Sequence, residues 1–412
     1  MFANRSSKQF WSEYDNRVAV IAVIVGAAAP LNALFWIFFP GNLFLCVSVW
    51  MLVLIGFLAI LRTGKQLLVP ACFFILVTTL ASQTVVIDWD ARAIWLFHAK
   101  FIFFENSYYG SLDPYDGAHP TYPVIYPAMV AAGAKLVGYW NDVYPNLAVL
   151  PFIITPTLLL CLHFRHPLTQ ALMCTVIILT CKINLFNGYM DGLVALQITS
   201  ILFLYLKYND EKYNQLCASE RNLVTALFFI LAINLLNLKN EGLAAAGVVI
   251  VLTLIQKPST LKTSMLTALI TSVITYFLMW KIPVAREGYV TDLFQGSFFS
   301  QFQERLQADS VTHIFSHLMH DIWRWLLLFF IITLISRSHQ IAPSRYRFLL
   351  QFCGIYFAIM FCIYMGTPAD LLWHLKTSAG RVSTPIAMTI AFCITHWFCS
   401  NPYMRDLSLK IK

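Results

Sequence analysis

Charge is what this sequence has least of: Asp and Glu number 20 and Lys and Arg 28 in 412 residues, so charged side chains make up 12% of the chain, about half the share usual in a soluble domain. A chain so poor in charge cannot cover a water-facing globule, which excludes an ordinary soluble enzyme. Ordered cysteine spacing is missing too. The ten cysteines (46, 72, 161, 174, 181, 217, 353, 362, 393, 399) include no CxxC pair, which removes a zinc ribbon or a disulfide framework and leaves them as small core residues. No internal repeat, low-complexity tract or linker is present, so residues 1–412 read as a single membrane domain with no separate soluble unit. The net charge of +8 does not point to a nucleic-acid partner, because basic residues in membrane proteins collect in cytoplasmic loops.

What is there is grease: 59% of residues are hydrophobic and the mean hydropathy is +0.68. At about 20 apolar residues per crossing, spans are expected near 18–39, 43–61, 66–87, 145–162, 168–184, 192–208, 222–238, 243–256, 263–281, 320–337, 346–366 and 382–399. That makes an all-α, polytopic helical bundle of about twelve spans with both termini on the cytoplasmic side. The apolar run that follows Arg5, Lys8 and Arg17 is too long for a signal peptide's core and reads as a span. Residues 122–139 are apolar but short, with Pro123, Pro127 and Lys135, and read as an interfacial or re-entrant helix.

Charge arbitrates that choice. With 122–139 not crossing, twelve cationic residues after position 140 fall inside and eight outside, whereas over the whole chain acids number fourteen outside and six inside. The basic excess inside is what the positive-inside rule asks for. The outer side then receives a long loop (88–144), short polar turns near 185–191, 239–242 and 367–381, and a second long loop (282–319).

Chemistry concentrates on that outer side. Asp88 and Asp90 end a nearly uncharged stretch, and a carboxylate at a membrane boundary can serve as general base or cation ligand. Trp89, Arg92, Trp95, His98 and Lys100 follow, the residue types that bind sugar and phosphate. Asp-x-Asp also occurs as a divalent-metal motif, so Mg or Mn is left open as a cofactor. His119-Pro-Thr-Tyr-Pro is rigid and aromatic, with His119 and Tyr122 as binding residues. Asp191 lies in an Asn-Gly-Tyr-Met-Asp-Gly turn, and Lys239 and Glu241 interrupt an otherwise apolar stretch from 222 to 256, where ionisable groups need partners or a function. His374 and Arg381 lie before the last span, placed to meet phosphate oxygens. His313, His317 and His320 have helical spacing beside Asp321, which fits either a metal site or an amphipathic interfacial helix.

In their order, Trp89-Asp90-Ala91 with Trp95 and Lys100, His119-Pro120 with Tyr122-Pro123 and Pro127, Gly188-Tyr189-Met190-Asp191, Lys239-Asn240-Glu241-Gly242 and Arg381 resemble the GT-C superfamily. These are integral-membrane glycosyltransferases that use polyprenyl-phosphate sugars, and the likeness is to the protein-mannosyltransferase and aminoarabinose-transferase branch. It covers roughly residues 66–400. The resemblance implies a catalytic acid in the first outer loop with a short amphipathic helix after it, and transfer with inversion to an acceptor hydroxyl. Asp90 carries the match as general base, with Asp88 as runner-up. Arg381, Lys239 and His374 would stabilise the leaving phosphate, Asp191 and Glu241 would orient acceptor hydroxyls or hold cations, and Trp89, Trp95 and Tyr122 would face sugar rings. Two extra spans precede the acidic loop, where the family usually has one, and no large soluble domain follows the last span, which favours a lipid or glycan acceptor in contact with membrane lipids; the likeness to the bacterial branch implies an inner (plasma) membrane. A transporter or flippase and a glycan polymerase or ligase are the alternatives; paired repeats, the usual mark of a transporter, are not seen.

Overall fold

A computed structural model describes residues 12–86, 88–109, 119–142, 144–208, 210–286, 298–306, 309–336 and 346–400. Among these the regular structure is all helical. The helices are α1 (Glu13–Phe38), α2 (Leu43–Arg62), α3 (Leu68–Gln83), α4 (Phe97–Glu105), α5 (Ile125–Val137), α6 (Leu150–Cys161), α7 (Pro167–Cys181), α8 (Asp191–Lys207), α9 (Asp210–Gln215) and α10 (Ala218–Leu238). There follow α11 (Glu241–Leu254), α12 (Thr260–Tyr276), α13 (Ile282–Arg286), α14 (Phe298–Leu306), α15 (Ser310–Met319), α16 (Trp323–Ser336), α17 (Arg347–Gly366), α18 (Leu371–His374), α19 (Gly380–Val382) and α20 (Thr384–Ser400).

Eight helical segments among the described residues are long and apolar enough to cross a membrane, and α15 with α16, bent by 66° at a short break, would make a ninth. The expected twelve are thus not reached among the described residues. The runs near 145–162, 192–208, 243–256 and 320–337 form shorter helices, of which α8 has 17 residues, α11 14 and α16 14. The reason is visible in α8. It is buried from Asp191 through Leu204, enclosed by α6, α10 and α20, and a helix surrounded by protein is apolar all round without needing the length of a bilayer. The 122–139 segment resolves the same way: α5 has 13 residues, too few to cross, and is buried from Ile125 to Ala132 against α1, α2 and α4. The termini, residues 110–118, and residues 287–297 and 307–308 of the expected second outer loop lie outside the described residues.

Two prolines explain how the core helices lock together. Pro30 in α1 and Pro156 in α6 have no N–H to offer the carbonyls four residues earlier. Those carbonyls, Gly26 and Phe152, instead accept from the side chains of Asn234 on α10 (3.2 Å) and Gln197 on α8 (2.9 Å). Ser200 adds a bond to the Pro156 carbonyl at 3.2 Å. A neighbouring helix thus satisfies what the proline frees, as a bundle surrounded by hydrocarbon requires. Gly26 permits the approach, since a Cβ there would meet Ile230 at 2.5 Å and Thr155 at 2.9 Å.

The first helix is pinned at its start as well. Ser12 and Asp15 form a reciprocal N-terminal cap, and the buried Asp15 carboxylate also pairs with Arg165, between α6 and α7, and lies 3.7 Å from Lys207 at the end of α8. Asp191 opens the same helix, roughly 25 Å away at 1.5 Å per residue. Polar groups are therefore gathered at the two ends of α8.

Replacing Gln197 by Leu leaves the Phe152 carbonyl bare and is expected to cost about 1–3 kcal/mol. Detergent-titrated unfolding measures it, and adding Pro156→Ala, which restores the intrahelical donor, should recover part of the loss; equal losses in both backgrounds refute the pairing. Orientation is testable through α10, which carries exposed Cys217 just before its first turn. An impermeant maleimide should reach Cys217 and an introduced Thr377→Cys from opposite sides of the membrane, and reaction of both from one side contradicts a crossing.

Candidate active site

Asp90, Asp191, Lys239, Glu241 and Arg381 meet at the start of α8, each delivered by a helix end. Asp90 precedes a π-helical turn (Ala91–Leu96), and Asp191 is the first residue of α8. Lys239 and Glu241 flank the break between α10 and α11, where Gly242 lets the chain fold tightly: a Cβ there would meet the Leu235 carbonyl oxygen at 2.1 Å. Arg381 follows another π-helical turn (Leu375–Ala379). A third (Phe277–Lys281) ends in Lys281, whose Nζ donates to Asn240 Oδ1 and the Thr121 carbonyl, both at 3.1 Å. Such one-residue insertions shift the phase of a helix and are frequent at functional sites.

The five groups form a string of alternating charge. Arg381 Nη1 lies 2.7 Å from Asp90 Oδ2 and 3.8 Å from Asp191 Oδ2; Lys239 Nζ lies 2.8 Å from both Asp191 Oδ1 and Glu241 Oε1. Each cation bridges two carboxylates. Burial alone would push the Asp191 carboxyl up, but Lys239 and Arg381 outweigh it and hold it below its ordinary range. Burial likewise pulls Lys239 down, and Asp191 and Glu241 reverse this, raising it well above the usual value. Asp191 is 4% exposed and Asp90 29%, so the string is sealed in its middle and open at its Asp90 end. Asp191 Oδ2 and Glu241 Oε2 are buried and accept no hydrogen bond among the described residues. Both oxygens are acceptors, the chemistry that suits hydroxyl donors.

The neighbours are aromatic. Tyr189 lies flat under the Arg381 guanidinium, 4.1 Å from it, held on a turn where Gly188 adopts φ +89° and packs on Ala91. Tyr122 packs edge-on to Trp95 at 5.4 Å and to His119 at 5.6 Å, and is within electrostatic range of Glu241, Lys239, Asp191 and Asp90. Trp280 and Lys281 hold this loop by the Thr121 carbonyl. His374 stands one step back, its Nδ1 3.1 Å from Thr367 Oγ1, in electrostatic range of Lys239 and Arg381.

Not every expected residue joins. Asp88 accepts from Asn187 Nδ2 at 2.8 Å rather than from a cation, Trp95 is buried at 2% exposure as core, and Trp89 is 60% exposed. The two aspartates of the Asp-x-Asp motif engage different partners, and no group of three or more His, Cys, Asp or Glu among the described residues is arranged to hold a metal. Asp321 beside the three histidines pairs with Lys182 at 3.2 Å. Tyr189, Asn187, Asn240, Trp280 and Lys281 were not expected as site residues. Tyr189 had a signal in its Gly-Tyr-Met-Asp turn; Lys281 read only as the charge that closes a span.

Comparison with family models, curated proteins and solved structures gives no match.

Neutralising Lys239 leaves Asp191 and Glu241 as buried like charges, so Lys239→Met is expected to cost about 3–5 kcal/mol. The companion Asp191→Asn should restore a substantial part of it in a double-mutant cycle followed by thermal unfolding; additive losses would show the bridge to be incidental.

Proposed function

We propose that the chain is an integral-membrane glycosyltransferase that moves a sugar from a polyprenyl-phosphate donor to a lipid or glycan acceptor, with inversion, on the extracytoplasmic face. The observation that carries this reading is the meeting of Asp90 with Arg381, Asp191, Lys239 and Glu241 in one site. The site combines an accessible carboxylate, cations for a phosphate, and buried oxygens that suit hydroxyl donors.

In this reading Asp90 takes the acceptor's hydroxyl proton as the oxygen attacks the anomeric carbon. The bond from that carbon to phosphate breaks on the opposite face, and its electron pair leaves with the phosphate oxygen. Activation matters because a hydroxyl is a poor nucleophile at neutral pH. The developing charge on the leaving group needs cations placed in advance, a role for Arg381 with Lys239 and His374 behind it. Asp191 and Glu241 orient hydroxyls through these oxygens, and Tyr122 and Tyr189 supply flat faces beside them. Apolar grooves suit hydrocarbon chains: one of about 340 Å³ runs between α2, α3 and α6 past Trp50, Phe57 and Ile75. The buried length of α8 beyond Asp191 favours chemistry at one face over passage through the bundle, as a transporter would need.

Transfer from a radiolabelled polyprenyl-phosphate sugar in proteoliposomes tests the assignment. Asp90→Asn should lower the rate by about 10²–10⁴-fold, the usual worth of a positioned general base. Asp88→Asn should retain most activity, since Asp88 is committed to Asn187. Full activity of Asp90→Asn sinks the proposal.

A further inference from the structure

We infer that Arg381 masks Asp90 until a phosphate group arrives, so that the donor must bind before the acceptor can be activated; this rests on the transferase reading above. The argument begins with a shortage of cations. Three carboxylates share two cations in the string, and Lys239 is committed on both sides, at 2.8 Å to Asp191 and 2.8 Å to Glu241. Arg381 is the cation that can change partners.

Its contacts suit a group that changes partners. Nε donates to the Thr377 carbonyl one turn back at 2.9 Å, which fixes the base of the side chain. The guanidinium lies over the Tyr189 ring at 4.1 Å, a contact that favours the cation without fixing its direction in the plane. Nη1 sits 2.7 Å from Asp90 and 3.8 Å from Asp191. The close contact with Asp90 is made through this one nitrogen, whereas a phosphate offers the guanidinium two-pronged bonding. Asp90 is the carboxylate that loses: Asp191 keeps Lys239, and Asp90 has no second cation within 4 Å among the described residues.

Released, Asp90 faces the open end of the site with its lone pairs free to accept a hydroxyl proton. Before release, the same lone pairs are held by a cation, and an acceptor alone meets an inactive base. Arg381 therefore acts both on the leaving phosphate and as the switch that exposes the base, which makes binding ordered.

Carbodiimide labelling of the full chain in nanodiscs, read by peptide mass spectrometry, reports the state of Asp90. Probes are undecaprenyl phosphate, undecaprenol and inorganic phosphate, and binding of each is followed separately by thermal shift. Undecaprenyl phosphate should raise Asp90 labelling on the order of tenfold, the change expected when a carboxylate loses a close opposite charge. Undecaprenol should leave it unchanged, and exposed Glu13, at the far end of the bundle, serves as the internal reference. An equal rise with inorganic phosphate would show that the headgroup suffices, and a rise with the lipid form alone that the chain must seat it; both support the switch. In Arg381→Gln labelling should already be high and insensitive to the lipid. Binding of undecaprenyl phosphate without a rise, or with protection of Asp90, overturns the switch and leaves the transferase reading standing. Absence of any binding overturns both.

Discussion

The buried ammonium of Lys239 is the contact on which the candidate site depends. Two carboxylates brought this close would repel each other, and one lysine held 2.8 Å from each offsets that repulsion. Desolvating such an ion costs several kcal/mol, and only good geometry offsets it. That geometry is supplied by backbone: the break after Leu238 turns Lys239 inward in an extended conformation, and Gly242 lets α11 start against the backbone of α10. Once Lys239 is fixed, Asp191 is fixed, and through it Arg381 and Asp90.

The bundle beneath provides a rigid floor. Side chains from α8 and α10 fill the carbonyls that Pro30 and Pro156 leave open, so the prolines in α1 and α6 become points of attachment instead of weak points. The Asp15 latch at the other end of α8 holds the first helix to the same frame. Between these ends α8 is enclosed, which keeps Asp191 from moving to suit a ligand. Adaptation is left to the rim, where three π-helical turns carry Lys281, follow Asp90 and precede Arg381.

Much of this was legible in the residues, for identifiable reasons. Lys239 and Glu241 stood out because ionisable groups inside an apolar run are costly enough to need partners, and Asp90 and Arg381 because they border spans. Their convergence was an expectation drawn from order and side. The span count was less legible, since hydropathy measures apolar surroundings and cannot separate lipid from protein; α8 is apolar because other helices cover it. Lys281 and Trp280 were hidden for a local reason: a π-helical turn leaves no mark in the periodicity of five residues, and it is that turn which aims them at the Thr121 loop.

The charge balance of the string bears on what the site can accept. With Asp90, Asp191 and Glu241 against Lys239 and Arg381, the empty site carries one excess negative charge, which opposes entry of a phosphate as a bystander. A phosphate can enter only by taking a cation from a carboxylate, and the carboxylate that gives it up must face water or a proton donor to be tolerated. Asp90, at 29% exposure, meets that condition, and Asp191, at 4%, does not. The same unequal burial that makes the middle of the string permanent makes its outer end exchangeable. Electrostatics therefore selects one carboxylate out of three for release, and it is the one nearest the opening through which an acceptor hydroxyl would come.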